Sequence, residues 1–442
     1  MKYFSTRDLS RQFPVTLKDA AFMGLAPDGG LFMSEYIPRA DLDTVRHLAE
    51  QSYSDLAFYL ASLFFSGDVP SEKLERMIRR AYDFDCPLVN LEPGLSVLEL
   101  FYGPTFAFKD FGARFMGGML GLLYDGESSL IVLTATSGDT GSAVAAGFHN
   151  VPGIKVVVLY PEGKVSPIQE AQMTTLGGNI HPVCVRGNFD DCQALVKSVF
   201  NDVEFRSRVN VTSANSINVL RWIPQSFYYF YAWAHYSAST GEDTPDIVVP
   251  SGNFGNITAG MLAWKMGLPV RRFVAACNAN DVIPEFLATG KYRPRPSVRT
   301  VANAMDVGAP SNFERLMYLF DNDFDSLKAD LAGYSYSDNQ IKTAIAEIYA
   351  RHSYLSDPHS AAGWLAAKES GSRGFCLSTA HPAKFAGVIE DAFRENPVLA
   401  GGLGANDVVK FPDALLEASK REKSFVTMDN DLGELEQFIY KL

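Results

Sequence analysis

The chain has 442 residues, 47% of them apolar and 20% charged, a globular composition long enough for two or three domains. A formal net charge of −12 argues against a broad nucleic-acid or anionic-membrane surface, and leaves room for a small anion held by backbone amides and one or two cations. Five scattered cysteines without a C-x-x-C pair, and seven histidines without an H-x-x-x-H pattern, argue against a disulfide framework and a zinc site; a reducing cytosol fits. The start, Met1-Lys2-Tyr3-Phe4-Ser5-Thr6-Arg7-Asp8, has no apolar signal core, and no apolar run is long enough to span a bilayer.

Residues 1–95 read as a mostly helical unit around the turn Ala26-Pro27-Asp28-Gly29-Gly30. Helical spacing runs over 41–66, where Leu56, Tyr59, Leu60, Leu63 and Phe64 share a face, and again over 71–83. From 96 onward strands alternate with helices. Strands are predicted at 129–134, 154–160, 180–185, 209–211, 246–249, 272–276 and 374–378. Helices are predicted at 143–148, 167–176, 189–200 and 219–235, with helical spacing again over 313–370. The proline-punctuated stretch 290–312 reads as an irregular connection. This alternation predicts an α/β fold with mainly parallel sheets, which bind ligands at the carboxyl ends of their strands.

Three stretches carry chemistry. In Pro104-Thr105-Phe106-Ala107-Phe108-Lys109-Asp110-Phe111-Gly112-Ala113-Arg114 a lysine lies among phenylalanines. Apolar surroundings disfavour its ammonium form and lower its pKa, as Schiff-base chemistry with an aldehyde requires. The competing reading is a lysine whose stem packs on aromatics while its head reaches water. Ser251-Gly252-Asn253-Phe254-Gly255-Asn256 follows a buried strand and opens a helix, so its N–H groups and the helix dipole form an anion site; the alternative is a plain tight turn. Ser137-Gly138-Asp139-Thr140-Gly141-Ser142 is a second such turn, suited to a carboxylate, or else a helix capped by Ser137, Asp139 or Thr140. Thr379, after the 374–378 strand, offers a hydroxyl for a ring nitrogen or a helix cap before His381-Pro382. Neither a P-loop nor G-x-G-x-x-G is present.

The lysine stretch, the 136–141 turn and the 252–256 turn, in that order, resemble the fold-type-II enzymes that use pyridoxal 5′-phosphate, and among them the threonine synthase family. Ser5-Thr6-Arg7, Asp28-Gly29-Gly30-Leu31, Ser166, Gln169-Glu170-Ala171-Gln172-Met173-Thr174, Asn215-Ser216-Ile217-Asn218 and Asn303-Ala304-Met305-Asp306-Val307-Gly308-Ala309-Pro310-Ser311-Asn312 extend the resemblance over nearly the whole chain.

The resemblance implies two parallel or mixed-sheet α/β domains behind a mostly helical N-terminal domain at 1–95. The smaller domain, 96–240, would hold the Schiff-base lysine and the substrate's carboxylate loop. The larger, 241–442, would hold the cofactor's phosphate loop and the C-terminal helices. Lys109 would carry pyridoxal 5′-phosphate, with the cofactor's phosphate on Gly252, Asn253, Phe254, Gly255 and Asn256 and its ring nitrogen facing Thr379. Ser137, Gly138, Asp139, Thr140 and Gly141 would bind the substrate's carboxylate. Asn215 and Ser216 would also face the substrate, and Lys164, Arg114 and Arg221 are candidate cations for its phosphate, or else surface residues paired with carboxylates. Asp139 stands where several relatives carry Asn, so the partner of the cofactor's 3′-oxygen stays unassigned. The implied reaction converts O-phospho-L-homoserine and water to L-threonine and phosphate. It would run in the cytoplasm with no obligate protein partner, and without activation by S-adenosylmethionine because the chain lacks the plant members' N-terminal extension. The same lysine and loop would also serve a dehydratase, a cysteine synthase, a lyase giving 2-oxobutyrate, or a cofactor-binding protein without turnover. A kinase reading lacks a P-loop lysine and a magnesium carboxylate pattern.

Overall fold

The computed structural model of the chain describes residues 1–126 and 129–442. Strands Leu130–Ala135, Ile154–Pro161, Ile180–Val185 and Asn210–Ser213 form a parallel sheet, with Leu130–Ala135 between Ile154–Pro161 and Asn210–Ser213. Val426–Met428, from the far end of the chain, adds to its edge beside Ile180–Val185. A six-stranded sheet runs in the order Leu331–Ser335, Arg272–Cys277, Asp246–Pro250, Gly374–Ser378, Leu95–Glu99, Leu88–Glu92. Its neighbours are parallel except for the last, antiparallel pair.

The central strands are apolar along their whole length because helices cover both faces of parallel sheets; every residue of Leu130–Ala135 and of Gly374–Ser378 is buried. Helix Pro358–Ser370 lies across the middle strands of the larger sheet, while Phe189–Asn201 and Leu432–Tyr440 close the outer face of the smaller one. The N-terminal unit pairs Tyr3–Ser5 with Phe32–Ser34 and adds helices Leu17–Met23, Leu42–Gln51, Tyr53–Phe65 and Ser71–Ala81. Leu56, Leu60 and Phe64 are buried as the helical spacing predicts, while Tyr59 and Leu63 stay half-buried at the margin of the face.

The strands predicted at 154–160, 180–185, 246–249, 272–276 and 374–378 are present within a residue or so. Three departures have physical causes. The helix predicted from 143 begins at Asp139, inside the glycine turn. The helix predicted at 219–235 is divided into Val219–Trp222, a tighter turn at Ile223–Ser226, and Phe227–Thr240, since Pro224 lacks the N–H that an unbroken helix needs. Leu331–Ser335 is a strand within a stretch of helical spacing. Leu-Ala-Gly-Tyr-Ser has little strand propensity of its own and takes its conformation from pairing with Arg272–Cys277.

Candidate active site

Three neighbouring parallel strands of the larger sheet, Leu95–Glu99, Gly374–Ser378 and Asp246–Pro250, end on one edge. Lys109, Thr379 and the 252–256 turn follow from their ends. The lysine segment is stitched to the middle strand: Phe108 N–H donates to the Thr379 carbonyl at 2.9 Å and His381 N–H to the Phe106 carbonyl at 3.0 Å. Phe106 has φ of 58°, a conformation that costs a bulky residue about 1–3 kcal/mol and that surrounding structure must enforce. Lys109 then opens helix Lys109–Leu123. Phe111 anchors that helix edge-on against Tyr53 (5.3 Å between centroids), Phe84 (5.0 Å) and Tyr228 (5.2 Å). Part of the Lys109 side chain is reached by solvent, yet protein crowds its amine. Burial lowers its pKa from 10.5 to about 8; Asp139 opposes the shift, and Lys384 and Arg221 add to it.

The 252–256 turn opens helix Gly255–Lys265 through Phe254 at φ 59°, with no side-chain cap. A Cβ on Gly252 would lie 2.5 Å from the Met305 Cα, so only glycine fits beneath the 303–312 segment. The first backbone bond of the helix runs from Thr258 N–H to the Phe254 carbonyl, which leaves the N–H groups of Gly255 and Asn256 open. Asn256 Oδ1 accepts from both Tyr228 (2.6 Å) and Tyr229 (2.7 Å), fixing the amide so that Nδ2 is a buried donor without a partner. Such an orphan donor beside a helix N-terminus fits a phosphate. Asn253 differs. Its Nδ2 donates to Ser216 Oγ (2.9 Å), its Oδ1 accepts from Ser311 N–H (2.6 Å), and its carbonyl accepts from Asn312 Nδ2 (3.1 Å), so this side chain shapes the turn.

The smaller sheet delivers the facing wall. After Leu130–Ala135 the chain turns through Gly138, whose φ of 144° and lack of a side chain let it pass close to Gln169. None of Ser137, Asp139 or Thr140 caps the following helix; Thr136 Oγ1 accepts from Gly138 N–H (2.9 Å) and Gly141 N–H (2.8 Å) instead. With Thr136 taking the Gly141 N–H, the N–H groups of Asp139 and Thr140 are the ones this helix start leaves open. The Asp139 carboxylate is buried and receives Lys384 Nζ at 2.6 Å and Gln169 Nε2 at 2.8 Å. Burial alone pushes its pKa up, but Lys384, Lys109 and Gln169 together hold it well below the usual carboxylate range. Lys384 Nζ also donates to the Thr105 carbonyl (2.8 Å), as does Gln172 Nε2 (3.3 Å), tying the lysine loop to this wall.

Lys384 stands outside the candidates read from the sequence. Arg221 is buried beside Lys109, with Nε and Nη1 lacking acceptors and its pKa lowered by burial to about 10. Arg114 is held by Asp83 at 2.7 Å and by the Arg80 carbonyl, and Lys164 is exposed. Asn215 Oδ1 accepts from Thr134 at 2.6 Å; Ser216 Oγ accepts from Asn253 and Asn312, both at 2.9 Å, keeping its own proton to donate. Thr379 is not a cap, because His381 Nδ1 accepts from Ala383 N–H (3.1 Å) in that role. Burial and Lys384 bring the His381 pKa down to about 4, consistent with an accepting nitrogen. Asp357 and Ser360 steady the strand end, with Ser360 Oγ 3.0 Å from Ser378 Oγ and accepting from Thr379 N–H at 3.3 Å.

A lysine with a lowered pKa, beside an uncharged anion cradle on the edge of one sheet and facing a second open helix start from the other, defines a pyridoxal-phosphate-dependent enzyme of the α/β class. The family model described as "Pyridoxal-phosphate dependent enzyme" matches residues 89–375. Those described as "Threonine synthase N terminus" and "Threonine synthase, C-terminal" match 2–82 and 360–439. The threonine synthase of Serratia marcescens is 40% identical over 445 aligned residues that cover 100% of both chains. The PLP-bound threonine synthase structure from Brucella melitensis superposes with a TM-score of 0.90 at 33% identity, covering 100% of this chain and 99% of that one. The Escherichia coli threonine synthase structure gives 0.88 at 38% identity, covering 100% of each. The chain belongs to the threonine synthase family, and its cofactor is pyridoxal 5′-phosphate.

Proposed function

We infer that the chain converts O-phospho-L-homoserine and water to L-threonine and phosphate by γ-elimination followed by β-addition. The observation that carries this reading is the amine of pKa about 8 at the strand ends of the larger sheet, with one open helix start beside it and a second on the facing wall from the smaller sheet. When bound, pyridoxal 5′-phosphate supplies an electron sink that makes protons beside the substrate's amino group removable. Lys109 is the covalent anchor and, once the substrate's own amine takes its place, the base that receives the Cα proton. An amine poised near neutrality suits repeated proton transfers.

Gly252, Asn253, Phe254, Gly255 and Asn256 hold the cofactor's phosphate, aided by the free proton of Ser216, and Thr379 faces the ring nitrogen with a neutral hydroxyl. Ser137, Gly138, Asp139, Thr140 and Gly141 receive the substrate's carboxylate at the open N–H groups of Asp139 and Thr140. Lys384 balances the Asp139 charge there, so that no net repulsion meets the incoming anion. Arg221 offers its unpartnered nitrogens to the leaving phosphate. The reading extends to a cytoplasmic enzyme of small anions that needs no nucleic acid, membrane or protein partner. Among the described residues no helix is long and apolar enough to cross a membrane, and all five cysteines are free and buried. Product analysis with O-phospho-L-homoserine tests the reaction. Equal amounts of threonine and phosphate are expected; 2-oxobutyrate in place of threonine would overturn it.

A further inference from the structure

Arg315 is a cation in an unusual place. Its side chain is fully buried in helix Phe313–Leu319, and its guanidinium lies 4.3 Å from the Trp222 ring centre. Its hydrogen bonds go to neutral oxygens: the carbonyls of Ser216 (2.9 Å), Ile217 (2.9 Å) and Phe32 (3.3 Å), and Asn312 Oδ1 (2.7 Å). Nε has no partner. Burial lowers its pKa to about 9, and the one carboxylate opposing that shift, Glu314, is engaged elsewhere. A buried charge without a counter-charge is costly unless an anion arrives nearby.

The groups that Arg315 grips are those that build the 252–256 cradle. Asn312 and Ser216 are its direct partners, and both bind Asn253. On its other side the helix is fastened to the N-terminal unit. Arg7 grips Glu314 through both carboxylate oxygens (3.0 and 3.1 Å), and Thr6 Oγ1 donates to the same carboxylate at 2.5 Å. Thr6 Oγ1 in turn accepts from Leu31 N–H, and Arg7 reaches the Asp28 carbonyl. The Ser5-Thr6-Arg7 and Asp28-Gly29-Gly30-Leu31 motifs, which carry no chemistry of their own, thus converge on the helix that supports the cradle.

We propose that Arg315 is a positioning residue for the cofactor's phosphate, acting through Asn312 and Ser216 on Asn253, and that the N-terminal motifs hold it in place through Glu314. The proposal rests on the placement of that phosphate at 252–256. The cofactor supplies the missing negative charge, and the buried guanidinium keeps the turn in the geometry that receives it.

The test compares two ligands on the full chain freed of cofactor: pyridoxal 5′-phosphate, and pyridoxal, which has the same ring and aldehyde without phosphate. Binding is read from the change in visible absorbance. Arg315→Gln is expected to weaken the phosphate-bearing ligand by about ten-fold or more, and pyridoxal by no more than about two-fold, the scale of a lost hydrogen bond to a charged group. Asn312→Ala, which leaves the guanidinium in place, repeats the selective loss and decides the matter if Arg315→Gln does not fold. Arg7→Gln gives the same selectivity on a smaller scale, about two- to five-fold, as an exposed ion pair allows. Equal weakening of both ligands, or no change in either, overturns the role of Arg315; an unchanged Arg7→Gln removes the N-terminal motifs from it. Asn256→Ala separates the underlying placement. If it leaves the preference for phosphate intact, the cradle lies elsewhere; if it abolishes that preference and Arg315→Gln does not, the cradle stands and the relay fails.

Discussion

Two turns of this molecule are built to one local recipe, a buried strand, a glycine turn and a helix start with open N–H groups, and end with different electrostatics. The 252–256 turn contains no charged side chain and presents only dipoles: open N–H groups and the orphan Asn256 Nδ2, with the Ser216 hydroxyl beside them. The 137–141 turn carries a buried carboxylate, Asp139, neutralised by a lysine from the far end of the chain. Fixed dipoles can hold an anion that stays. A turn that meets an anion which arrives and departs does better with charges already balanced, because neither state then leaves a buried ion alone.

The largest test of that contrast removes the balance. Lys384→Met should destabilise the protein by about 3–5 kcal/mol in urea unfolding, the scale for stripping one partner from a buried pair, and adding Asp139→Asn should recover much of it. A single variant as stable as the parent would mean that Asp139 is neutralised otherwise. Next in size, Asn256→Asp puts a carboxylate oxygen where the neutral cradle has a donor. Cofactor affinity should then fall about 100-fold, since facing like charges cost several kcal/mol; an unchanged affinity would show that this amide does not face the phosphate.

The pH dependence of cofactor capture is a gentler probe. Below its pKa of about 8 the Lys109 amine is mostly protonated, so the capture rate should rise about ten-fold per pH unit and level off above that value. An ordinary lysine would keep rising toward 10.5. The linked stability has the same sign: the cofactor-free chain gains stability as pH climbs from about 8 to 10.5, where the unfolded chain still holds a proton that the folded one has lost. The smallest effect is expected at Arg114, which Asp83 already holds. Arg114→Ala should change stability by no more than about 1 kcal/mol and leave substrate KM unaltered, whereas a large rise in KM would return it to the site.

What was legible in the sequence was local. Lys109 among its phenylalanines, the 252–256 turn and Thr379 each show in a few consecutive residues, because strand, turn and helix start are written in short-range pattern. Lys384 was not legible. It contacts the Thr105 carbonyl from 279 residues away, and a lysine before a helix reads as solvated. Arg315 follows Glu314 in a helix where paired charges suggest a surface, and only tertiary packing buries one fully and leaves the other half-buried. Nor could the pattern tell Asn253 from Asn256, since Tyr228 and Tyr229 decide which amide keeps a free donor. Strands Leu95–Glu99 and Val426–Met428 show the same limit: each is assigned by a partner distant in the chain, Gly374–Ser378 for the first and Ile180–Val185 for the second.

The most direct measurement is borohydride reduction of the cofactor-loaded protein, followed by digestion and mass mapping. The reduced adduct should fall on the peptide containing Lys109 and be absent from the one containing Lys384, the second lysine at the site. An adduct on Lys384 or on any other lysine, or no adduct at all, would contradict the covalent role assigned to Lys109.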